Sequence, residues 1–221
     1  MSDSVGPEFF DFFAGLTANQ SRDWFHANKQ RYEVSVKGPM RDLVVATNAA
    51  LKARNVPLAG DPKRSVSRIN RDVRFSADKS PYKTYVASTF TRVPDEMSPG
   101  LLYLHLAPGE CFAGLGFYAV DPADLARLRA AIAASPDGWF SVIAALAASG
   151  HPLEEGDPLK RMPKGFEEHA NLPIAPDLKR RAFVAKHWFT PEEAAHDLAT
   201  KVAIFADRCR PLLEFGWRAL T

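Results

Sequence analysis

The chain has 221 residues, 46% of them hydrophobic and 24% charged, with a formal net charge of +2; that is enough to bury a substantial core, and we read one domain over 1–221. No segment approaches the ~18 uninterrupted apolar residues of a membrane span, and Asp3, Glu8, Asp11, Arg22 and Asp23 break up the basic start and apolar run of a signal peptide, so a cytoplasmic protein with no membrane partner is expected. Cys111 and Cys209 are too few for a disulfide scaffold and read as reduced, partly buried small residues.

Residues 1–58 are helical by pattern. Pro7 to Ala14 carries Phe9, Phe10, Phe12 and Phe13 and stops at Gly15. Ser21 then caps a helix whose Trp24, Phe25, Asn28, Tyr32 and Val36 recur three to four apart. Gly38-Pro39 breaks it, and Pro39 suits the first turn of a third helix with Met40, Leu43, Val44, Thr47 and Leu51 on one face and Asn55-Val56-Pro57 as its exit.

Residues 64–120 read as antiparallel β. The runs 66–75, 82–92, 101–106 and 111–120 are rich in β-branched and aromatic residues, and Ala107-Pro108-Gly109-Glu110 is a turn signal that sets Leu106 opposite Cys111 and His105 opposite Phe112. Residues 121–221 are mainly helical, with starts at Asp121-Pro122, Ser135-Pro136 and the capping box Thr190-Pro191-Glu192-Glu193. Between them, 152–176 is a Pro- and Gly-rich ordered loop over the sheet. The fold class that follows is α+β, a central antiparallel sheet packed by N-terminal and C-terminal helices, with the Phe-rich first helix and the 212–217 end both docked on the body.

Charge is unevenly spread. Residues 63–83 hold seven basic side chains against Asp72 and Asp78, a local +5, and residues 160–187 hold seven against three acids, a local +4. If the two segments met they would form one positive concavity. Period-two alternation puts Arg68, Asn70, Asp72 and Arg74 on one face of the 66–75 strand and leaves Arg71 on the apolar face, where it needs a buried partner, a bulge or a place at the rim. Arginines interleaved with an acid can orient one another while keeping donors for a phosphate or carboxylate; a solvated strand with Asp72 paired to Arg68 or Arg74 is the bland alternative. Lys79, Tyr82 and Lys83 follow in a turn and extend the set. The expected ligand-binding residues are therefore Arg68, Arg71, Asp72, Arg74, Lys79, Tyr82 and Lys83.

Tyr103 and His105 share a strand face, with Glu110 one step along the partner strand to orient the imidazole. If there is catalysis, His105 with Glu110, or Tyr82 beside Lys79, would move the proton; a hydrogen-bonded structural histidine is the plainer reading. The other histidines (His26, His151, His169, His187 and His196) form no metal-ligand spacing, so neither metal nor cofactor is expected. Asn19, Arg22, Trp24, Asn28 and Lys29 offer one wall of a pocket, with Trp24 as plain core the safer reading.

Five stretches carry a resemblance: Arg22-Asp23-Trp24-Phe25-His26-Ala27-Asn28-Lys29 with Tyr32, the run from Arg68 to Thr84, Leu104 to Glu110, Gly114-Leu115-Gly116-Phe117-Tyr118, and Arg161-Met162-Pro163-Lys164-Gly165-Phe166. On these the chain resembles, over nearly its whole length, the bacterial and fungal family called domain of unknown function 2461. The resemblance implies a soluble α+β protein and supplies no activity or catalytic residue.

The expected partner is an anionic small molecule bearing phosphate or carboxylate, in a pocket that is enzyme-like or purely binding. The alternative is a module for single-stranded nucleic acid or protein that uses Tyr82, Tyr85, Phe90, Tyr103 and Phe112 as a basic aromatic face. A pI near 8.5 argues against the nucleic-acid version. Oligomeric state is not legible.

Overall fold

The structure is a computed structural model that describes residues 3–221. Its elements are α1 (Pro7–Ala18), α2 (Arg22–Ala27), α3 (Lys29–Tyr32), α4 (Gly38–Ala53), β1 (Leu58–Ala59), β2 (Val86–Arg92), β3 (Leu101–Ala107), β4 (Glu110–Phe117), α5 (Pro122–Ala134), α6 (Pro136–Ala148), α7 (Ala175–Leu178), β5 (Phe183–Phe189), α8 (Pro191–Ala195) and α9 (Leu198–Leu220). The strands form one antiparallel sheet in the order β1-β2-β3-β4-β5, so the protein is α+β.

The sheet differs from expectation at both ends. Residues 66–75 form no strand; only isolated bridges, Val66 to Ser88 and Asn70 to Tyr82, tie this stretch to its neighbours. Strand β1 precedes it at Leu58–Ala59, and β5 closes the sheet from the mainly helical last hundred residues, where no strand is expected. The expected 82–92 strand begins only at Val86. The 152–176 loop is ordered by backbone pairing with β5: Leu153 bridges Ala185 and the Glu154 amide donates to the Val184 carbonyl at 2.8 Å.

Helix signals in the sequence have physical counterparts. The Ser21 hydroxyl accepts from the Trp24 amide at 3.2 Å, the Asp121 carboxylate accepts from the amides of Ala123 and Asp124, and Thr190 and Glu193 form a reciprocal capping box. Pro39 does not break the chain's course. A π-turn over Glu33–Lys37 links α3 directly into α4, and its wider loop lets the Gly38 amide donate to the Glu33 carbonyl just before the residue that has no amide hydrogen.

By internal packing the chain divides into two compact units, Met1–Phe90 with Tyr103–Ala113 and Trp188–Phe205, and Thr91–Leu102 with Gly114–His187 and Ala206–Thr221. In the first, Phe9, Phe12, Phe13 and Leu16 of α1 are buried with Met40, Leu43, Val44 and Leu51 of α4, and Phe12 packs its ring on Trp24 and Tyr32 at centroid distances of 5.7 and 5.5 Å. In the second, Trp139 of α6 meets Phe183 and Phe215, at 5.4 and 5.1 Å, and the end of α9 buries Leu212, Leu213 and Trp217. The basic segment 63–83 belongs to the first unit and 160–187 to the second. Among the described residues no single helix is long and apolar enough to cross a membrane; α5 and α6 together would be, but they bend by 102° at their junction.

Candidate functional site

The motif from Arg68 to Lys83 is a clamped loop. Its base is a short antiparallel ribbon in which the Arg71 amide donates to the Pro81 carbonyl at 2.9 Å and the Lys83 amide to the Ile69 carbonyl at 2.8 Å. Above that base, side chains take over the bonding that a strand ladder would have made. Arg71 donates to the carboxylate of Asp78, to the Ser80 carbonyl at 3.3 Å and to the Ser76 hydroxyl at 3.4 Å. Asp78 also accepts from the Ser80 amide and hydroxyl at 2.9 and 2.6 Å, and these bonds first, with Arg71 behind them, hold its carboxyl well below the usual carboxylate range. Arg71 thus pairs with the exposed Asp78 within a loop, not on the apolar face of a strand, so the buried partner, bulge or sheet-rim position expected for it does not arise.

The remaining charges of the loop point to water. Arg74 grips Asp72 through two bonds, at 3.0 and 2.7 Å, and Lys79 donates to the Val73 carbonyl at 3.0 Å. Phe75, at the tip, is 97% exposed. The alternating face that was to join Arg68, Asp72 and Arg74 on one strand therefore does not exist, because its residues are not in a strand.

Two polar clefts flank the ribbon, both lined by Tyr82. The larger, about 670 Å³, lies where α2, α3 and the start of α4 face residues 63–70. Its charged lining is Arg22, His26, Lys29, Lys37, Arg41, Lys63 and Arg68 against the single acid Glu33. Glu33 pairs with Lys37 at 2.8 Å, whereas the side chains of Arg22, Lys29, Arg41, Lys63 and Arg68 make no ion pair or hydrogen bond among the described residues. Phe25, Tyr32 and Tyr82 form its floor. Tyr82 is 5% exposed and stacks on Phe25 at 4.4 Å, and burial, reinforced by Glu33 and opposed by Arg41, pushes the Tyr32 hydroxyl up to about 12. A phenol kept neutral beside cations donates a hydrogen bond without adding negative charge.

The smaller polar cleft, about 630 Å³, is lined by Thr17, Gln20, Arg71, Asp72, Asp78, Ser80, Lys83, Thr84 and Tyr85 as well as Tyr82. Its arginine and acids are already engaged with one another or with Arg74. Lys83 lies over the Tyr85 ring at 5.6 Å, and its ammonium is shifted down by burial and then by Arg68.

Of the seven expected ligand residues, Arg68 and Tyr82 line the larger cleft, Arg71, Asp72, Tyr82 and Lys83 the smaller, and Arg74 and Lys79 neither. Of the expected pocket wall, Arg22 and Lys29 line the larger cleft, Asn19 and Asn28 line neither polar cleft and donate to the Gly15 and Trp24 carbonyls, and Trp24 packs on Phe12, its plainer reading. Sequence reasoning missed His26, Lys37 and Arg41. The available signal was the four-residue step Lys29, Glu33, Lys37, Arg41, one charged stripe along a helix.

His105 lies in neither polar cleft. It is 8% exposed, stacks on Phe112 at 4.9 Å, meets the Tyr85 ring at a tilt at 4.4 Å, and shares a 3.3 Å hydrogen bond with the Tyr103 hydroxyl rather than with Glu110. Burial lowers its pKa, against the pull of Glu110. Strand β3 ends at Ala107 and β4 begins at Glu110, on either side of the expected Pro108-Gly109 turn. Glu110 itself lines a third cleft, about 420 Å³ and mainly apolar, with Phe10, Cys111 and Phe189. In the second unit His151 and His187 meet at 3.0 Å, a pairing that sequence spacing did not suggest. Among the described residues no three His, Cys, Asp or Glu side chains are grouped to hold a metal ion.

The sequence model of one family, described as a conserved hypothetical protein (DUF2461), matches residues 8–215. No curated protein and no solved structure matches the chain.

Proposed function

The chain belongs to the DUF2461 family, and from its largest polar cleft we propose that it binds an anionic small molecule through phosphate or carboxylate oxygens. One observation carries the reading: five cationic side chains, Arg22, Lys29, Arg41, Lys63 and Arg68, line a single concavity and make no ion pair or side-chain hydrogen bond among the described residues. Unpaired like charges held together repel, and a low-dielectric floor of Phe25, Tyr32 and Tyr82 focuses their field on whatever enters. Arginine supplies forked donors and lysine point charges, the pairing that suits oxyanions.

The seat of binding moves from the loop tip to the larger cleft. Arg68 and Tyr82 stay in the set, Arg71 and Asp78 brace the adjoining loop, and Arg74 and Lys79 leave it. The reading concerns binding; the proton-transfer candidates His105 and Glu110 lie outside the cleft, and Tyr82 is part of its floor. Two free, buried cysteines suit the reducing cytoplasm we assign to the protein.

Differential scanning fluorimetry with phosphate, sugar phosphates and di- and tricarboxylates tests the proposal. Stabilisation by one of these anions, lost in Arg68→Ala and Arg41→Ala, is expected; no stabilisation by any of them would reject it. A single-stranded oligonucleotide belongs in the same panel. Tyr82 and Phe90, two of the five aromatics that a base-stacking face would need, are 5% and 0% exposed, so no salt-dependent oligonucleotide binding by a sheet face is expected.

A further inference from the structure

Resting on that anion-binding reading, we infer that the cleft is built for a polyanion, a ligand carrying two or more phosphate groups on adjacent or neighbouring positions, rather than for a single phosphate or carboxylate.

The argument is one of charge and span. The lining carries six cationic lysine and arginine side chains against Glu33, a net +5 even with His26 neutral. A carboxylate would neutralise one of these charges and a phosphate monoester about two. Either would leave at least three like charges facing one another across a concavity of about 670 Å³. A diphosphate, bisphosphate or triphosphate brings the three to five negative charges that match.

The cations are also distributed for more than one contact point. Arg22, Lys29 and Arg41 come from the helical segment and Lys63 and Arg68 from the stretch between β1 and β2, so the two groups stand on separate walls. Both walls reach one ligand only if its charge extends across the gap. Lys37 adds a reserve. It is held by Glu33 at 2.8 Å, in an i,i+4 pair with both side chains about a third exposed, and such a pair is weak enough to release its lysine to a stronger anion.

Neither the smaller polar cleft nor the apolar cleft has this character. In the smaller one Arg71 is engaged with Asp78, so it offers no comparable surplus of charge.

Isothermal titration calorimetry of the full chain at fixed ionic strength, with orthophosphate, pyrophosphate and tripolyphosphate as probes, tests the inference. Affinity should rise on the order of 10-fold with each added phosphate. Arg41→Ala and Lys63→Ala, one from each wall, should each weaken tripolyphosphate by about 10-fold and orthophosphate by much less, while Arg74→Gln, outside the cleft, should leave the ladder unchanged. Affinities for the three probes within about threefold of one another would overturn the polyanion inference and leave the simpler anion pocket standing. An equal loss in Arg74→Gln would also overturn it, by showing attraction to net charge rather than to the cleft. Binding of none of the three probes would remove both readings.

Discussion

The guanidinium of Arg71 donates to the carboxylate of Asp78, seven residues further along, and the same group reaches the Ser80 carbonyl and the Ser76 hydroxyl. One planar fork thus closes the whole 72–80 loop beside the larger polar cleft. Arg71→Ala should speed amide exchange across 72–80 and open the chain to trypsin after Arg74 and Lys79. Arg71→Lys should recover little, because an ammonium lacks the fixed fork that spans these acceptors. Hydrogen exchange read by mass spectrometry decides the point, and unchanged protection in Arg71→Ala would mean that the Asp78–Ser80 turn holds the loop alone.

A second prediction concerns Phe117 and the glycine beneath it. A Cβ on Gly216 of α9 would clash with the edge of the Phe117 ring, at Cζ and Cε2. Gly216→Ala should therefore cost about 1–3 kcal/mol by overpacking, despite alanine's better helix propensity. Phe117→Leu should relieve much of that cost, so the double variant should be less destabilised than the two single effects added together. Urea melts of the three proteins measure it; simple additivity would place the clash elsewhere.

Stability should fall as the solution is acidified through the histidine range. Burial lowers the pKa of His105, and burial together with His187 and Arg208 lowers that of His151. A histidine with a depressed folded-state pKa contributes stability that is fully present above its unfolded value, about 6.5, and lost as pH drops towards the folded value. His105→Phe keeps an aromatic ring between Tyr85 and Phe112, so it should flatten this acid-side loss between pH 6.5 and 5. If the variant's melting temperature tracks the wild type at every pH, His105 is not a source of the dependence.

The cysteines should be silent in the native protein. Cys209 is fully buried, with its thiol pushed up to about 12 by that burial, and burial also raises Cys111. Thiolate, the reactive form, is then scarce at pH 8. Iodoacetamide should label neither residue until denaturant is added, when both should react; rapid native labelling of Cys209 would contradict its placement in the core.

What could be read in advance divides along a physical line. Helix starts at Ser21, Asp121 and Thr190 depend on a few neighbouring atoms, and the Pro108-Gly109 hairpin depends on local turn geometry, with Gly109 at φ +75°. These were legible. The stretch 66–75 alternates like a strand, yet Asp72, Ser76, Asp78 and Ser80 offer its backbone and Arg71 local partners that compete with a ladder. Strand β5 was missed because Phe183, Ala185 and Phe189, buried on one side, follow an irregular loop that masked the change of period. The larger polar cleft was half visible: Arg68, Tyr82, Arg22 and Lys29 were named, while Lys37 and Arg41 looked like an ordinary solvated helix face, and only tertiary packing sets them opposite Lys63 and Arg68.

The π-turn at Glu33–Lys37 bears on how that cleft is armed. In an unbroken α-helix, at about 100° per residue, Lys29 and Arg41 would project about 120° apart. A π-turn spends one additional residue on a single revolution, which brings the two to within about 20° of each other. The extra residue works as a phase adjuster. Drawing the same residues into a regular helix without loss of any would rotate Lys29 about 120° out of line with Arg41 and disarm one wall with every cationic side chain still in the chain, whereas deleting one residue of the turn would give a regular helix that keeps the two within about 20°.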